Sequence, residues 1–237
     1  MLRTFLILFI SLIPIQYVIA NHIVGGEIEM IHVGDENSFT YQVKLIQYFD
    51  CAQTSNPGPD DLITYTIFRK SDGQFMRDGT MFITNQEFVP YTNPDCALGF
   101  LCTLKVEYSH EITLDPDIYN DPDGYVIVWE RCCRNSTIKN LNNPATNGMT
   151  YTLYFPPVVD ATGNPFVNSS PKLFPPLSDY ACVNQLFYID FAGTDDDGDS
   201  IAYSLAAPLD DKQDNNGDIQ ALPPTTPPPH PIVDFAP

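Results

Sequence analysis

The chain has 237 residues, in which 11 Lys and Arg stand against 30 Asp and Glu, for a formal net charge of −19. This charge repels phosphate and so argues against nucleic acid as a partner. Hydrophobic residues make up 43% of the chain, too many for a wholly disordered protein, and the 13 Gly residues follow no collagen-like period. The composition favours an acidic globular protein of low helix content, typical of extracellular β modules.

Residues 1–20 have the features of a secretory signal peptide. Arg3 is their single charge, and residues 5–13 form an apolar run of signal-peptide length. A retained membrane anchor is the alternative, but a spanning helix needs about 20 apolar residues, and Pro14 interrupts this run. The sequence predicts cleavage after Ala20, a secreted or cell-surface location, and no membrane span in the mature chain.

Residues 21–159 are expected to consist of short strands separated by turns. The predicted strands have alternating or β-branched and aromatic sequences, and they cover residues 26–33, 39–48, 62–69, 81–84, 102–113, 124–133 and 149–155. Seven short strands in about 135 residues predict an all-β fold, an antiparallel immunoglobulin-like β-sandwich. Trp129, the single Trp, lies in the middle of a predicted strand, where we expect it to pack in the core.

Six cysteines follow the signal peptide, and an even number in an exported chain indicates disulfides. They are Cys51, Cys96, Cys102, Cys132, Cys133 and Cys182. Neighbouring residues on a strand point to opposite faces, so Cys132 and Cys133 are not expected to bond to each other. Cys96 and Cys102 close a short loop and form a candidate local pair. Cys51 and Cys182 would then take the two vicinal cysteines, which would tie Cys182 back to the first domain.

The composition changes after residue 159, where we place a domain border. Residues 160–237 contain twelve acidic residues, all Asp, and only two basic ones. Two further strands are predicted there, at residues 186–191 and 200–205. The Pro-rich residues 222–231 are expected to be either a loop within this module or an extended linker. Only about 70 residues follow the connection, fewer than the roughly 100 that a sandwich needs, so this β module is expected to be truncated and the chain a fragment.

An Asp-rich turn lies between the two strands predicted in this second module. Residues 193–199 have the sequence Gly-Thr-Asp-Asp-Asp-Gly-Asp. Ca²⁺ takes about six to eight oxygen ligands, and Gly allows the backbone to turn tightly between them. A solvated hairpin turn without metal is the alternative, because Asp and Gly also favour turns on their own. The spacing leaves both interpretations open.

Several segments resemble known bacterial surface proteins. The sequence Ala-Gly-Thr-Asp-Asp-Asp-Gly-Asp-Ser-Ile-Ala-Tyr-Ser-Leu at residues 192–205 is similar to the A-x-D-x-D-G-D-x-L-x-Y-S-L pattern of cadherin-like and immunoglobulin-like adhesin repeats. His-Ile-Val-Gly-Gly-Glu-Ile at 22–28, Tyr-Phe-Asp-Cys at 48–51 and Cys-Cys-Arg-Asn at 132–135 resemble the N-terminal region of large gliding-motility-associated surface proteins. Proteins of that class are exported by gliding bacteria and carry a C-terminal sorting domain of type B.

This resemblance implies a domain organisation, a location and a role. It implies tandem β-sandwich modules, the second being a partial cadherin-like or immunoglobulin-like module, displayed on the cell surface in adhesion or as a stalk. It also implies Ca²⁺ binding by the residues that match the acidic positions of cadherin-like repeats, namely Asp195, Asp197 and Asp199.

The sequence carries no motif that points to catalysis. His110 and Glu111 begin an H-E-x-x-H pattern, but Leu114 stands where the second His is needed. Neither a G-x-S-x-G nucleophile turn nor a phosphate-binding glycine loop is present. Paired carboxylates for glycoside hydrolysis arise from the fold rather than from spacing, and a solvated acidic surface accounts for the 30 acidic residues.

The sequence therefore predicts a non-catalytic secreted or surface protein without catalytic residues. Its ligand is expected to be an extracellular glycan or protein of unknown identity. A carbohydrate-binding module is the alternative, since 13 Tyr and 15 Phe offer stacking surfaces, and a hydrolase domain is the third and least favoured interpretation.

Overall fold

A computed structural model describes residues 23–52, 58–91, 94–96, 99, 101–135, 138–173, 181–188, 192–211 and 223–236. Within these ranges the regular structure is β, with two single 3₁₀ turns, which confirms the predicted all-β class. The strands are β1 (Ile23–Val33), β2 (Thr40–Asp50), β3 (Leu62–Arg69), β4 (Phe75–Phe88), β5 (Thr103–Thr113), β6 (Tyr125–Cys132), β7 (Gly148–Phe155), β8 (Lys172–Leu173) and β9 (Gly193–Thr194). The predicted signal peptide lies outside the described residues.

Strands β1 to β7 form one antiparallel sheet in the order β1-β2-β5-β4-β3-β6-β7. The sheet curls until its two edge strands face each other. A Cβ atom added to Gly26 in β1 would lie 3.1 Å from the ring of Tyr151 in β7. The sheet is therefore nearly closed, consistent with the β-sandwich class, and its inner face surrounds one main core.

Alternation along the strands explains how this core forms. In β3 the inward side chains are Ile63, Tyr65 and Ile67, all at most 1% exposed. Trp129 of β6 is completely buried and stacks on Tyr151, with ring centroids 5.3 Å apart and planes 11° apart. Burial raises the pKa of Tyr151 to about 12, so its hydroxyl stays neutral. The expectation that Trp129 packs in the core is confirmed.

All seven strands predicted for the first domain are present, and β4 is much longer than expected. The sequence predicted only residues 81–84, whereas β4 extends over 14 residues. Most of its side chains are exposed or half-buried, so it lacks the hydrophobic alternation by which strands are found. A shift of register between Ile83 and Asn85 disturbs the pattern further.

The strand predicted at residues 200–205 is wrong. These residues have no regular secondary structure and pair with no strand in the described part of the chain. Residues 186–188 of the other predicted strand are likewise unpaired, and residues 189–191 lie outside the described residues. The turn region instead enters a short ladder in which β9 pairs with β8. Alternating sequence specifies a strand only where a partner supplies the hydrogen bonds.

The described residues between 160 and 236, which we call the C-terminal region, cover both edges of the main sheet. At the β1 edge, the Ser170 N–H donates to the Met30 carbonyl at 2.8 Å, and the Met30 N–H donates to Ser170 Oγ at 2.9 Å. At the β7 edge, the Thr150 N–H donates to the Leu209 carbonyl at 3.3 Å. Exposed sheet edges promote aggregation, so these contacts shield the strands of the first domain.

Part of the C-terminal region also crosses the outer face of the sheet. Residues 223–236, which we call the strap, begin where Thr66 Oγ1 donates to the Pro224 carbonyl at 2.7 Å. Phe68, Val126 and Val128 point away from the main core and are still at most 2% exposed, as a second apolar cluster. Residues 223–231 of the predicted Pro-rich loop or linker thus pack against the first sheet. The domain border after residue 159 stays a prediction, with extensive contacts running across it.

The six cysteines lie in three pairs at disulfide distance, which confirms the expectation of disulfides. The pairs are Cys51–Cys102, Cys96–Cys182 and Cys132–Cys133. The expected partners are wrong. The rule that neighbours point to opposite faces does not extend to Cys133, because β6 ends at Cys132.

The two other pairs follow from the sheet rather than from sequence spacing. Cys51 and Cys102 lie just beyond the paired residues Asp50 and Thr103 of the adjacent strands β2 and β5. Cys182 is tied to the first domain as expected, although its partner is Cys96. No described segment is a helix long and apolar enough to cross a membrane.

Replacing Gly79 by Ala should destabilise the fold. Tyr65 lies across the strand pair from Gly79, and a Cβ at Gly79 would overlap the ring of Tyr65. That ring is completely buried, and its hydroxyl lies 3.0 Å from His110 Nδ1, so it cannot move aside freely. We expect G79A to lower the free energy of unfolding by about 1–3 kcal/mol, measured by urea denaturation.

The matched control is Gly99→Ala, because nothing lies within 4 Å of a Cβ at Gly99. Its effect should stay within about 0.5 kcal/mol. Equal effects of the two substitutions would contradict the packing of Tyr65 on Gly79.

Candidate functional site

The Asp-rich turn is closed by its own first carboxylate. Asp195 Oδ1 accepts the N–H of Asp197 at 3.0 Å and the N–H of Asp199 at 3.2 Å. Gly198 has a φ of +84°, which favours Gly, and its N–H donates to the Asp195 carbonyl at 3.3 Å. The turn therefore forms from ordinary Asp and Gly turn chemistry, without requiring a metal ion.

Two of the three predicted calcium ligands, Asp195 and Asp197, already accept hydrogen bonds from different backbone groups. Asp197 Oδ2 accepts the N–H of Ser169 at 2.5 Å, while Asp195 is engaged within the turn. Asp196, between them, forms an ion pair with Lys172. Within the described ranges, no group of three or more His, Cys, Asp or Glu side chains is placed to hold a metal ion. The residues do not form a ready-made site, and calcium at Asp195, Asp197 and Asp199 stays a prediction.

A buried acid–base pair fastens the strap to the sheet. Glu130 lies on the outer face of β6, and its carboxylate Oε1 is 2.5 Å from Nε2 of His230 in the strap. The two side chains are 1% and 0% exposed, respectively. The four polar atoms of the two side chains all lack a hydrogen bond, so the contact between Oε1 and Nε2 is close but does not have hydrogen-bond geometry. The proximity of an acidic and a basic group is therefore what offsets the cost of burying the two side chains.

A shallow groove of about 250 Å³ lies where the strap passes the ends of β3 and β7. Tyr154 is 55% exposed there, and Lys70 Nζ lies 5.9 Å from the centroid of its ring, within cation–π range. Arg69 donates to Asp72 and holds the pKa of that carboxyl down at about 2. The remaining lining residues are Gly73, Val126, Pro227, Pro228 and Pro229.

The groove combines an aromatic ring, proline rings and one available cation. Arg69 is engaged by carboxylates of its own chain, whereas Lys70 forms no ion pair among the described residues. A volume below the roughly 300–1,000 Å³ of sites for drug-sized ligands suits one small ring rather than a long ligand. The groove can stack a ring and attract a negative group, and it shows no arrangement of a nucleophile with a base.

A second titratable cluster lies on the outer face of β1 and β2. Burial and repulsion by Glu29 raise the pKa of Glu27, whose Oε1 accepts the Tyr48 hydroxyl at 3.3 Å. Burial likewise raises the pKa of Glu29, and Lys44 partly offsets this. The cluster is therefore an acidic strip along two strands, in which burial raises the pKa of both carboxyls.

The described histidines each have a structural partner. His110 Nδ1 lies 3.0 Å from the Tyr65 hydroxyl, and burial lowers the pKa of His110. His32 Nε2 lies 2.8 Å from the Ser38 carbonyl, and His230 contacts Glu130. His22 lies outside the described residues. These contacts account for the histidines as elements of the fold.

Comparison with known proteins found no match: no family model, no curated protein and no solved structure matches the chain. The functional argument therefore depends on the fold and on the contacts described above.

Sequence reasoning missed the Glu130–His230 pair and the groove. Glu130 gave one usable signal, because it follows five apolar residues of a strand that is buried on both sides, where a charge requires a partner. His230 gave none, since it lies in a Pro-rich segment interpreted as a loop or linker. The groove depends on the path of the strap, which local sequence does not specify.

Removing His230 should loosen the strap and destabilise the protein. H230A leaves the Glu130 carboxylate buried without its partner, so we expect a loss of about 3–5 kcal/mol in unfolding free energy. The double variant Glu130→Leu with His230→Leu removes both polar groups and should cost less than H230A alone. Chemical denaturation gives the free energies, and limited proteolysis within residues 223–236 reports release of the strap.

Lys172→Ala is the matched control, since it breaks an ion pair whose side chains are 45% and 52% exposed. It should leave the denaturation midpoint unchanged. A double variant that is less stable than H230A would contradict the role given to the pair.

The calcium prediction is tested by thermal melting of the full chain with Ca²⁺ and with chelator. Binding should raise the melting temperature with Ca²⁺, because the ion bridges carboxylates that otherwise repel one another. Asp199→Asn should abolish this rise and leave the melting temperature in chelator unchanged, because the Asp199 side chain makes none of the described contacts that close the turn. Asp123→Asn, in an exposed turn elsewhere, is the control and should keep the rise with Ca²⁺.

Identical melting curves of the unmodified chain with Ca²⁺ and with chelator would contradict the calcium prediction.

Proposed function

We propose that this chain is a non-catalytic secreted or cell-surface protein that acts in adhesion or as a structural stalk. The proposal includes export by the predicted signal peptide, removed after Ala20. It also includes membership of the gliding-motility-associated surface proteins with cadherin-like repeats, and a C-terminal region that Ca²⁺ stabilises.

The observation that carries the proposal is the way the chain is cross-linked. The Cys96–Cys182 pair joins positions 86 residues apart and fixes the C-terminal region to the connection between β4 and β5. Cys51–Cys102 joins two neighbouring strands at their ends. Disulfides persist in oxidising environments outside the cytoplasm, which supports export.

The antiparallel sheet supports a mechanical role. Its strands are joined through long ladders, such as the eleven-residue register between β2 and β5. The C-terminal region covers both sheet edges, so the module does not depend on a neighbouring chain to complete its sheet. A net charge of −19 keeps such a protein soluble and discourages association between copies. These are properties suited to a rigid extracellular module.

The groove supports a second candidate function, a carbohydrate-binding module. Tyr154 is half exposed, the prolines 227–229 form an apolar wall, and Lys70 adds a positive charge. An aromatic face with a few polar groups is what a sugar ring requires. The groove is small and shallow, so this function takes second place.

Adhesion is tested with beads that carry the oxidised mature chain. We expect these beads to stay attached under flow to cells or polysaccharide films on which albumin-coated beads are released. A glycan array decides between the two candidates. Carbohydrate binding requires a glycan signal that Tyr154→Ala removes, whereas Tyr188→Ala, which removes a Tyr that is 82% exposed outside the groove, leaves it intact.

Two other results would overturn the proposal. One is turnover of substrates in a broad glycoside and peptide screen, which would establish an enzyme. The other is a native protein whose six cysteines are reduced inside the cell. A third outcome separates the two roles. If the beads do not attach, but single chains resist extension by force until their disulfides are reduced, adhesion is excluded and the stalk role is retained.

A further inference from the structure

Residues 200–205 have the pattern of a half-buried strand but are not buried. Ile201, Tyr203 and Leu205 alternate with the small residues Ser200, Ala202 and Ser204, so the large apolar side chains would share one face if the segment were paired as a strand. Ile201 is half-buried, whereas Tyr203 is 56% exposed and Leu205 is completely exposed. An apolar strand face left open to solvent is typical of a binding surface.

The main chain of this segment is also unpaired. In the described part of the chain, no hydrogen bond involves the backbone of residues 200–207. The segment is held only at its ends. On one side Asp199 N–H donates to Asp195, and on the other Leu209 bridges to Thr150 and Ile232. It is therefore a segment anchored at its two ends, without regular secondary structure, whose backbone N–H and C=O groups make no hydrogen bond within the described chain.

We propose that residues 200–205 bind an extended β-strand of another protein by strand addition. The free N–H and C=O groups supply the ladder, and the exposed face of Tyr203 and Leu205 supplies apolar contacts at alternate positions. Six residues at about 3.3 Å each give a ladder some 20 Å long, which is the length of an ordinary strand.

Charge identifies the kind of strand that fits. The segment has Asp195, Asp196, Asp197 and Asp199 on one side and Asp210 and Asp211 on the other. Asp196 is paired with Lys172, and Asp210 accepts the N–H of Gly148, so the flanking carboxylates outnumber the one cation that forms an ion pair with them. A second copy of this chain, at a net charge of −19, would bring the same carboxylates against these ones, which is unfavourable. The complementary partner is a strand of a different protein with apolar residues at alternate positions and Lys or Arg at its ends.

This inference deepens the proposed adhesion function by naming a class of partner. Its role at the cell surface depends on the adhesion proposal, whereas the binding of a strand to residues 200–205 can be measured without it. The segment lies outside the groove proposed for sugars, so the two sites are tested independently.

The experiment uses the full oxidised chain and two short fluorescent peptides, in the presence of chelator, because Ca²⁺ at Asp195, Asp197 and Asp199 would neutralise the charge that attracts a basic strand. Both peptides alternate valine and threonine, one with lysines at its ends and the other with glutamates. We expect saturable binding of the lysine-ended peptide, at least tenfold tighter than that of the glutamate-ended peptide and weakened by salt. Hydrogen exchange at residues 200–207 should slow when the lysine-ended peptide binds.

Two proline variants locate the site. Ile201→Pro with Ser204→Pro removes one N–H on each edge of the segment. Because neither N–H is bonded within the described chain, the protein should keep its melting temperature and lose at least tenfold in peptide affinity. Val183→Pro is the control, since Val183 precedes Asn184, at a φ of +63°, in a turn closed by Gln185 N–H on the Cys182 carbonyl, where Pro is favoured.

Each other result overturns the proposal. Equal binding of the two peptides, no binding by a folded chain, or binding unchanged in the double proline variant would exclude strand addition at this segment. Dimers that the double proline variant abolishes would assign the segment to a second copy instead. If the variant loses the peptide but its beads still attach under flow, the adhesion proposal survives and this partner does not account for it.

Discussion

Strand β6 is buried on both of its faces, and the rest of the structure depends on the two layers that cover it. Its inner face, with Ile127 and Trp129, packs in the main core, and its outer face, with Val126 and Val128, forms a second buried cluster on the side of the sheet along which the strap lies. A strand of this kind normally lies in the middle of a layered α/β protein. Here the second layer is an irregular Pro-rich segment. The hydrophobic effect therefore holds the C-terminal region to the sheet. The contact between Glu130 and His230 fixes the position of the strap along β6.

The hydrogen bonds at the two sheet edges and the Cys96–Cys182 pair all fasten the C-terminal region to the main sheet. Ser170 at the β1 edge and Leu209 at the β7 edge occupy the backbone groups that a nearly closed sheet leaves free. The chain between them is also fixed by Cys182. These contacts join two segments that differ sharply in composition. A change of composition along a sequence shows that solvent exposure and turn content change there. It does not by itself define a domain that folds independently, because such a domain also needs a hydrophobic core of its own.

The strands of the first domain could be predicted because each has a local pattern that agrees with its surroundings. The alternation in β2 and the β-branched run in β3 are read directly from the chain. β4 was underestimated, because its exposed side chains carry no period. The cysteine partners were wrong because pairing follows strand neighbourhood, and Asp50 meets Thr103 only after β2 and β5 are placed side by side. The strap, the groove and the Glu130–His230 contact likewise depend on long-range packing that no local pattern specifies.

The contrast between the sheet edges and residues 200–205 bears on function. The protein covers the free edges of β1 and β7 with its own chain, as monomeric β proteins do to avoid uncontrolled pairing. Among the described residues, the segment 200–205 is left unpaired with Tyr203 and Leu205 exposed, and it is flanked by carboxylates at both ends. Such flanking charges discourage pairing between copies of an acidic chain, and they attract a basic strand. An unpaired segment whose flanking charges favour a basic partner over a second copy has properties suited to a recognition element, which is why we assign the binding proposal to it rather than to the covered edges.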